Sequence, residues 1–204
     1  MAKTKPTTKV AAVDKHDLIL RAAVKTFAEK GFHGTRVADI AAEAGIAYGL
    51  IYHYFKNKEQ ILNSIFQDKW SVFLAILRSI DHDNRDLRSK LMAIAGFFFD
   101  SYRNLPHLMD VLVLEIIHSS RFLESENLEA FREAFVIMEN IFKREQERGN
   151  MPRDMDPRVA AYLFLGSIET ILTAKILNTP SLDLNTMRGH LVDQFLYGIT
   201  RKRL

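Results

Sequence analysis

The feature that most limits how this chain can fold is the spacing of its apolar residues. From Asp14 almost to the C-terminus they recur every three or four positions, the period of a helix with one face turned inward. Alternating apolar and polar runs, which build strands, are scarce. A first stripe carries Leu18, Ala22 and Phe27 and stops at Gly31. A short helix with Val37, Ile40 and Ala41 is closed by Gly45, and a third turns Ile46, Ile51 and Phe55 inward. Asn57 caps a long fourth helix with Gln60 three residues on, an Asn form of the capping box; its stripe is Leu62, Phe66, Phe73, Leu77 and Ile80. A fifth helix is expected over about residues 87–102. Leu105-Pro106 then precedes a helix of Met109, Leu112, Val113 and Ile116. A Ser125 cap opens Leu128, Phe131, Phe135, Met138 and Phe142, ending near Gly149. Asp156 and Pro157 start the next, Pro being tolerated at a first helical position, and Leu184, Met187, Leu191, Phe195 and Ile199 mark the last. The expectation is an all-α fold of about nine helices behind a flexible basic arm, residues 1–13.

Composition removes several classes of function. The 204 residues are 48% hydrophobic and 26% charged, as in globular proteins, with no cysteine. That excludes disulfides, a thiolate zinc site and a cysteine nucleophile, and fits a reducing, cytoplasmic setting. No apolar run approaches ~18 residues, so no membrane span is expected, and no apolar segment of a secretory signal follows the first residues. The net charge of +3 is unevenly spread. Residues 1–58 carry ten Lys/Arg against five Asp/Glu, a net +5, which leaves −2 on residues 59–204. A basic first quarter points to an anionic partner there; a basic tail for solubility is the competing reading.

Residues 34–58, GTRVADIAAEAGIAYGLIYHYFKNK, have the logic of a helix-turn-helix over about residues 37–56. Ala41 is small where two helices touch, and Gly45 suits a turn of positive φ. With Ile40, Ile46 and Ile51 inward, the helical period turns Ala47, Tyr48, Tyr52 and His53 outward. Tyr and His side chains between Arg36 and Lys58 suit phosphates and base edges in a DNA groove, and Gly49 allows close backbone approach. The alternative is a buried helical hairpin with ordinary aromatic packing.

This segment resembles the DNA-binding domain of the TetR family of bacterial transcriptional regulators, from about Asp14 into the fourth helix. The similar residues are Phe27, Gly31-Phe32, Gly34-Thr35, Ile40-Ala41 and Ala44-Gly45. The most specific are Gly49, Ile51-Tyr52, Tyr54-Phe55 and Asn57-Lys58-Glu59 with Ile61 and Leu62. The resemblance implies a homodimeric regulator, not an enzyme. Residues 14–74 would form the DNA-binding domain and residues 75–204 a ligand-binding and dimerisation domain. Two-fold symmetry would match a palindromic double-stranded operator. By motif position the DNA contacts are Thr35, Arg36, Ala47, Tyr48, Gly49, Leu50, Tyr52, His53 and Lys58. Two positions depart from the family. Arg36 stands where Ser or Thr is usual, making Thr35 the candidate cap, and Leu50 stands where Thr is frequent.

In the body, Phe97, Phe98, Phe99 and Tyr102 crowd one helix, and three consecutive Phe cannot share a face. The richness in Phe and Met suits an apolar effector pocket. Its expected lining is Phe98, Phe99, Tyr102, Met109, Leu112, Val113, Ile116, Phe131, Phe135 and Met138. The body is also faintly similar to TetR-type regulators of fatty-acid degradation that respond to long-chain acyl-CoA, at Leu114-Glu115, Ser119, Arg121 and residues 165–169. That likeness implies a long-chain acyl-CoA effector, with Arg103 and Arg121 the candidate polar contacts; a hydrophobic drug or another lipid-like molecule suits the same pocket. Residues 159–176 are apolar around more than one stripe. The surplus reads as a dimer face with Leu165, Ile168, Leu172, Leu191 and Phe195. Glu115 and His118 have Glu-x-x-His spacing, the competing reading of a helical-bundle metal protein or enzyme. A di-metal site needs a second such pair, which is missing, so neither metal nor cofactor is expected.

Overall fold

In a computed structural model, the structure describes residues 14–116, 127–177 and 183–198, with the side chains of Glu115 and Ile116 outside that description. The described residues hold nine α-helices and no strand: α1 (Lys15–Gly34), α2 (Val37–Ala44), α3 (Tyr48–Ile51), α4 (Lys58–Asp81), α5 (Leu87–Asn104), α6 (Pro106–Asp110), α7 (Asn127–Glu147), α8 (Pro157–Ile176) and α9 (Leu184–Tyr197). After α6 the backbone widens into a π-helical stretch, Val111–Ile116. The expected Ser125 cap lies outside the described residues.

Local chemistry accounts for the helix ends. The Asp14 carboxylate accepts from the His16 N–H at 2.9 Å, and Asp86, Asp156 and Asp183 cap α5, α8 and α9 in the same manner. Asn57 accepts from the Gln60 N–H at 2.9 Å. The Gln60 side chain reaches back one residue further than a capping box requires, to the Lys56 N–H at 2.6 Å. α1 is interrupted at Gly31, φ 69°. α2 ends on Gly45 at φ 63°, ψ 34°, a left-handed conformation that costs any L side chain. The cap of α2 differs from the expectation. Thr35 is only 1% exposed, and its hydroxyl donates to the carbonyls of Gly31 and Thr26 at 2.8 and 3.1 Å. Instead, Asp39 accepts from the Arg36 N–H at 2.8 Å. A hydroxyl buried beneath the α1 break satisfies carbonyls that the glycine leaves open, so it has no reach to the next helix.

Two apolar cores share α4. The upper one joins α1, α2, α3 and the first half of α4 around Ile19, Phe27, Ile40, Ile51, Ile61 and Phe66. The lower one joins the rest of α4 with α5, α7, α8 and α9 around Leu77, Leu91, Ile94, Met138, Phe142 and Phe164. Trp70 and Leu112 pack against both, and Leu108 and Val111 belong to the upper core although they follow the body helix α5. α6 and the π-helical stretch thus lie against α1, the piece of the body on which the head rests. α8 is the one described helix long and apolar enough to cross a membrane. In this fold Ala160, Ala161, Phe164, Ile168 and Leu172 of that helix are buried within the protein.

Candidate nucleic-acid interface and apolar cavity

The end of the head presents an aromatic face. Ala47 is the N-cap of α3 and Gly45 turns the chain into it. Ile51 and Phe55 anchor the segment from below. Tyr48 and Tyr52, four residues apart, are 53% and 47% exposed. Their rings meet edge to face at 5.3 Å and their hydroxyls share a hydrogen bond of 2.7 Å. That bond, made to the neutral phenol, holds the Tyr52 hydroxyl above the usual tyrosine range, so the pair stays neutral and able to donate at physiological pH. Ala47, Gly49 and His53 are exposed and Leu50 half-exposed beside them.

Cations of the head divide into engaged and free. Lys25 pairs with Glu43 at 2.8 Å and Lys30 with Asp39 at 2.7 Å, bracing α1 against α2. Lys58, half-buried, donates to the carbonyls of Phe32 at 2.7 Å, Thr35 at 3.1 Å and His33 at 3.3 Å. Its ammonium also lies 4.6 Å from the Phe32 ring centroid. The first residue of α4 is therefore tied to the corner between α1 and α2, and its charge is already coordinated. Arg36 and Lys56 are exposed with no ion pair. Lys56 went unnoticed in the sequence because the motif directs attention to Lys58, two residues on.

Beneath the head lies a cavity of about 460 Å³, a size usual for small-molecule sites. α4 lines it with Phe66, Lys69, Trp70, Val72 and Phe73, α5 with Phe97, Phe98 and Ser101. Leu105, Leu108, Met109, Leu112 and Val113 follow from the α6 region. Phe131, Ala134 and Phe135 come from α7, and Leu165, Gly166, Ile168, Glu169 and Leu172 from α8. The rings interlock: Trp70 and Phe131 are 4.5 Å apart, Phe73 and Phe98 4.6 Å. The indole N–H donates to the Ala130 carbonyl at 2.8 Å, satisfying its one polar atom. Phe66 and Leu108 belong both to this wall and to the core of the head.

Of the residues expected here, Phe98, Met109, Leu112, Val113, Phe131 and Phe135 line the cavity. Phe99 and Met138 do not: each is buried in the lower core on the far side of its helix. Successive residues turn by about 100°, so Phe97 and Phe98 cannot face the cavity without turning Phe99 away. Tyr102 packs on that core near Asp110; burial raises the pKa of its phenol, and the Asp110 charge adds to this. Arg103 is also elsewhere, bound to Asp100 at 2.7 Å and to Asn185 at 3.0 Å where α5 meets α9. Arg121 and the side chain of Ile116 lie outside the described residues, as do His118 and the side chain of Glu115. Among the described residues no three metal-ligating side chains cluster.

The dimer face also needs correcting. Ile168 and Leu172 are buried inside the protein and, with half-buried Leu165, line the cavity. Phe195 packs on Phe142 and Phe164 at 5.7 and 5.1 Å. Leu191 is buried, at the floor of a groove between α8 and α9 whose walls include Tyr162, Leu163, Ile171 and Met187. The outward apolar row of α8 is Val159, Tyr162 and Leu163. A helix apolar on all sides does not reveal in its sequence which stripe faces its own core.

Comparison with known proteins bears on both halves. The family profile of bacterial regulatory proteins of the tetR family matches residues 19–65, and that of the YsiA-like protein C-terminal region matches residues 66–197. The chain is 29% identical over 188 residues to the fatty acid metabolism regulator protein of Bacillus subtilis, covering 92% of this chain and 97% of that one. It is 30% identical over 154 residues to the transcriptional repressor NicS of Pseudomonas putida, covering 74% and 72%. Among solved structures, the fatty acid degradation regulator FadR of Bacillus halodurans superposes with a TM-score of 0.83 at 29% identity, covering 98% of this chain and 100% of that one. FadR of Bacillus subtilis, in complex with stearoyl-CoA, gives 0.82 at 29% identity, covering 91% and 100%. Matched along nearly its whole length, head and body alike, the chain is a DNA-binding transcriptional regulator and not an enzyme, and it belongs to the TetR family.

Proposed function

We propose that this protein is a cytoplasmic repressor that two-fold symmetry places on a palindromic operator and that a long-chain acyl-CoA releases. One observation carries the reading: Phe66 and Leu108 are at once wall of the cavity and core of the head. A ligand that moves α4 or α6 must move the base on which α3 sits. It acts only through its different affinity for the two arrangements. A large, almost wholly apolar cavity suits an acyl chain, and the likeness to a regulator solved with stearoyl-CoA supports that class.

DNA contact falls to Tyr48, Tyr52, His53, Ala47, Gly49 and Leu50, with Arg36 and Lys56 on phosphates. Two copies pair through the α8–α9 groove and the row of Val159, Tyr162 and Leu163. A gel shift with DNA upstream of the protein's own gene tests this. Wild type retards the fragment and stearoyl-CoA releases it, while Tyr48→Ala and Tyr52→Ala stay dimeric and fail to bind. Retained footprints in both variants, or a complex indifferent to stearoyl-CoA, would overturn the reading.

A further inference from the structure

The cavity wall carries one cation among the described residues, and sequence reasoning passed over it. Lys69 lies on the same stripe of α4 as Phe66 and Phe73, three and four residues away, spacings that share a helix face. It is exposed, as are its neighbours in the lining Val72 (51%) and Leu105 (52%), with half-buried Ser101 from α5 beside them. These residues form the open rim of a cavity whose deeper wall is aromatic and aliphatic. The Lys69 ammonium makes no ion pair or hydrogen bond, whereas the body arginines Arg78, Arg88, Arg103, Arg132 and Arg144 are each paired with a carboxylate. The cavity's carboxylate, Glu169, enters from α8 and bonds with the Thr173 hydroxyl at 3.0 Å. A negative ligand group set against α8 would meet repulsion, and one at the α4 rim would meet attraction.

We propose that Lys69 selects effectors with an anionic head: the apolar tail fills the cavity and the negative group rests at the rim on the Lys69 ammonium. This rests on the reading of the cavity as the effector site, and it assigns the head-group contact to α4, the helix that enters the head, in place of Arg103. The same chemistry is offered by a free fatty acid and by an acyl-CoA, and titration separates them. Trp70 is the single tryptophan and lines the cavity, so its fluorescence reports occupancy without a label.

Oleate, stearoyl-CoA and the uncharged oleyl alcohol are titrated into the full-length dimer of wild type and Lys69→Gln. Wild type is expected to bind the anions several-fold more tightly than the alcohol. Lys69→Gln should lose about three- to fivefold for the anions, the scale of an exposed ion pair, and nothing for the alcohol. Rising salt should weaken the anions in wild type and not in the variant. Anion affinity unchanged in Lys69→Gln, or lost in parallel with the alcohol, overturns the assignment. Wild type that takes oleate but not stearoyl-CoA removes acyl-CoA as effector while Lys69 stands. Stearoyl-CoA bound equally by both proteins removes Lys69 while the effector stands. Failure of all three ligands overturns both.

Discussion

Lys58 is where family resemblance and geometry give different answers, and its replacement tells them apart. The resemblance assigns it a DNA phosphate; the structure has it holding carbonyls of Phe32, Thr35 and His33 over the Phe32 ring. Lys58→Met keeps the stem over that ring and removes the charge. A charge-assisted hydrogen bond contributes about 1.5–3 kcal/mol, and the half-buried position argues for the low end. An exposed cation–π contact adds about 0.5 kcal/mol. The loss of about 2 kcal/mol should lower the melting temperature by about 4–8 °C in a chain of this size. Operator affinity should fall too, because α4 no longer fixes the corner from which α2 and α3 project. The slope of affinity against salt should not change, since no phosphate contact is removed. Thermal melts followed by circular dichroism, with anisotropy titrations of an operator duplex from about 50 to 200 mM salt, measure both. A slope reduced by about 0.9 with an unaltered melting temperature would refute the strut and restore the phosphate contact.

Three further outcomes follow from the same geometry. Gly45→Ala, where a Cβ meets open space but φ is 63°, should cost about 1 kcal/mol and about 2–4 °C; an unchanged melt would contradict the backbone argument. Ala134→Leu, buried and facing the cavity, should weaken stearoyl-CoA about tenfold or more and leave a repressor that the effector no longer releases; unaltered Trp70 titrations would move the effector elsewhere. Asp39, whose pKa is lowered by its bond from Lys30 and then by the Arg36 N–H, stabilises the head above the ordinary carboxylate range and ceases to as pH falls through its lowered value. Asp39→Asn should therefore lower the melting temperature near neutrality, with the gap closing in acid; a gap that persists there would refute the linkage.

What the sequence by itself determined lies in short-range chemistry. Gly45, Asn57, Asp156 and Pro157 act on atoms within one turn, so helix ends and the turn of the reading head could be read directly, as could the outward Tyr48 and Tyr52. The same local logic revealed six cavity residues wherever a helix had a single apolar stripe. It failed where a helix is apolar on several sides or where a polar residue sits on an apolar stripe. Phe97, Phe98 and Phe99 are chemically identical, and only the packing of α5 against α4 decides which two face the cavity. Ile168 and Leu172 look as free for a partner as Tyr162 and Leu163 until α5 and α7 close over them. Lys58 and Lys69 are both lysines of α4, separated by three turns. Tertiary structure alone gave one to backbone carbonyls and left the other unpaired at the cavity rim, because a charge takes its role from the groups that the fold brings to it.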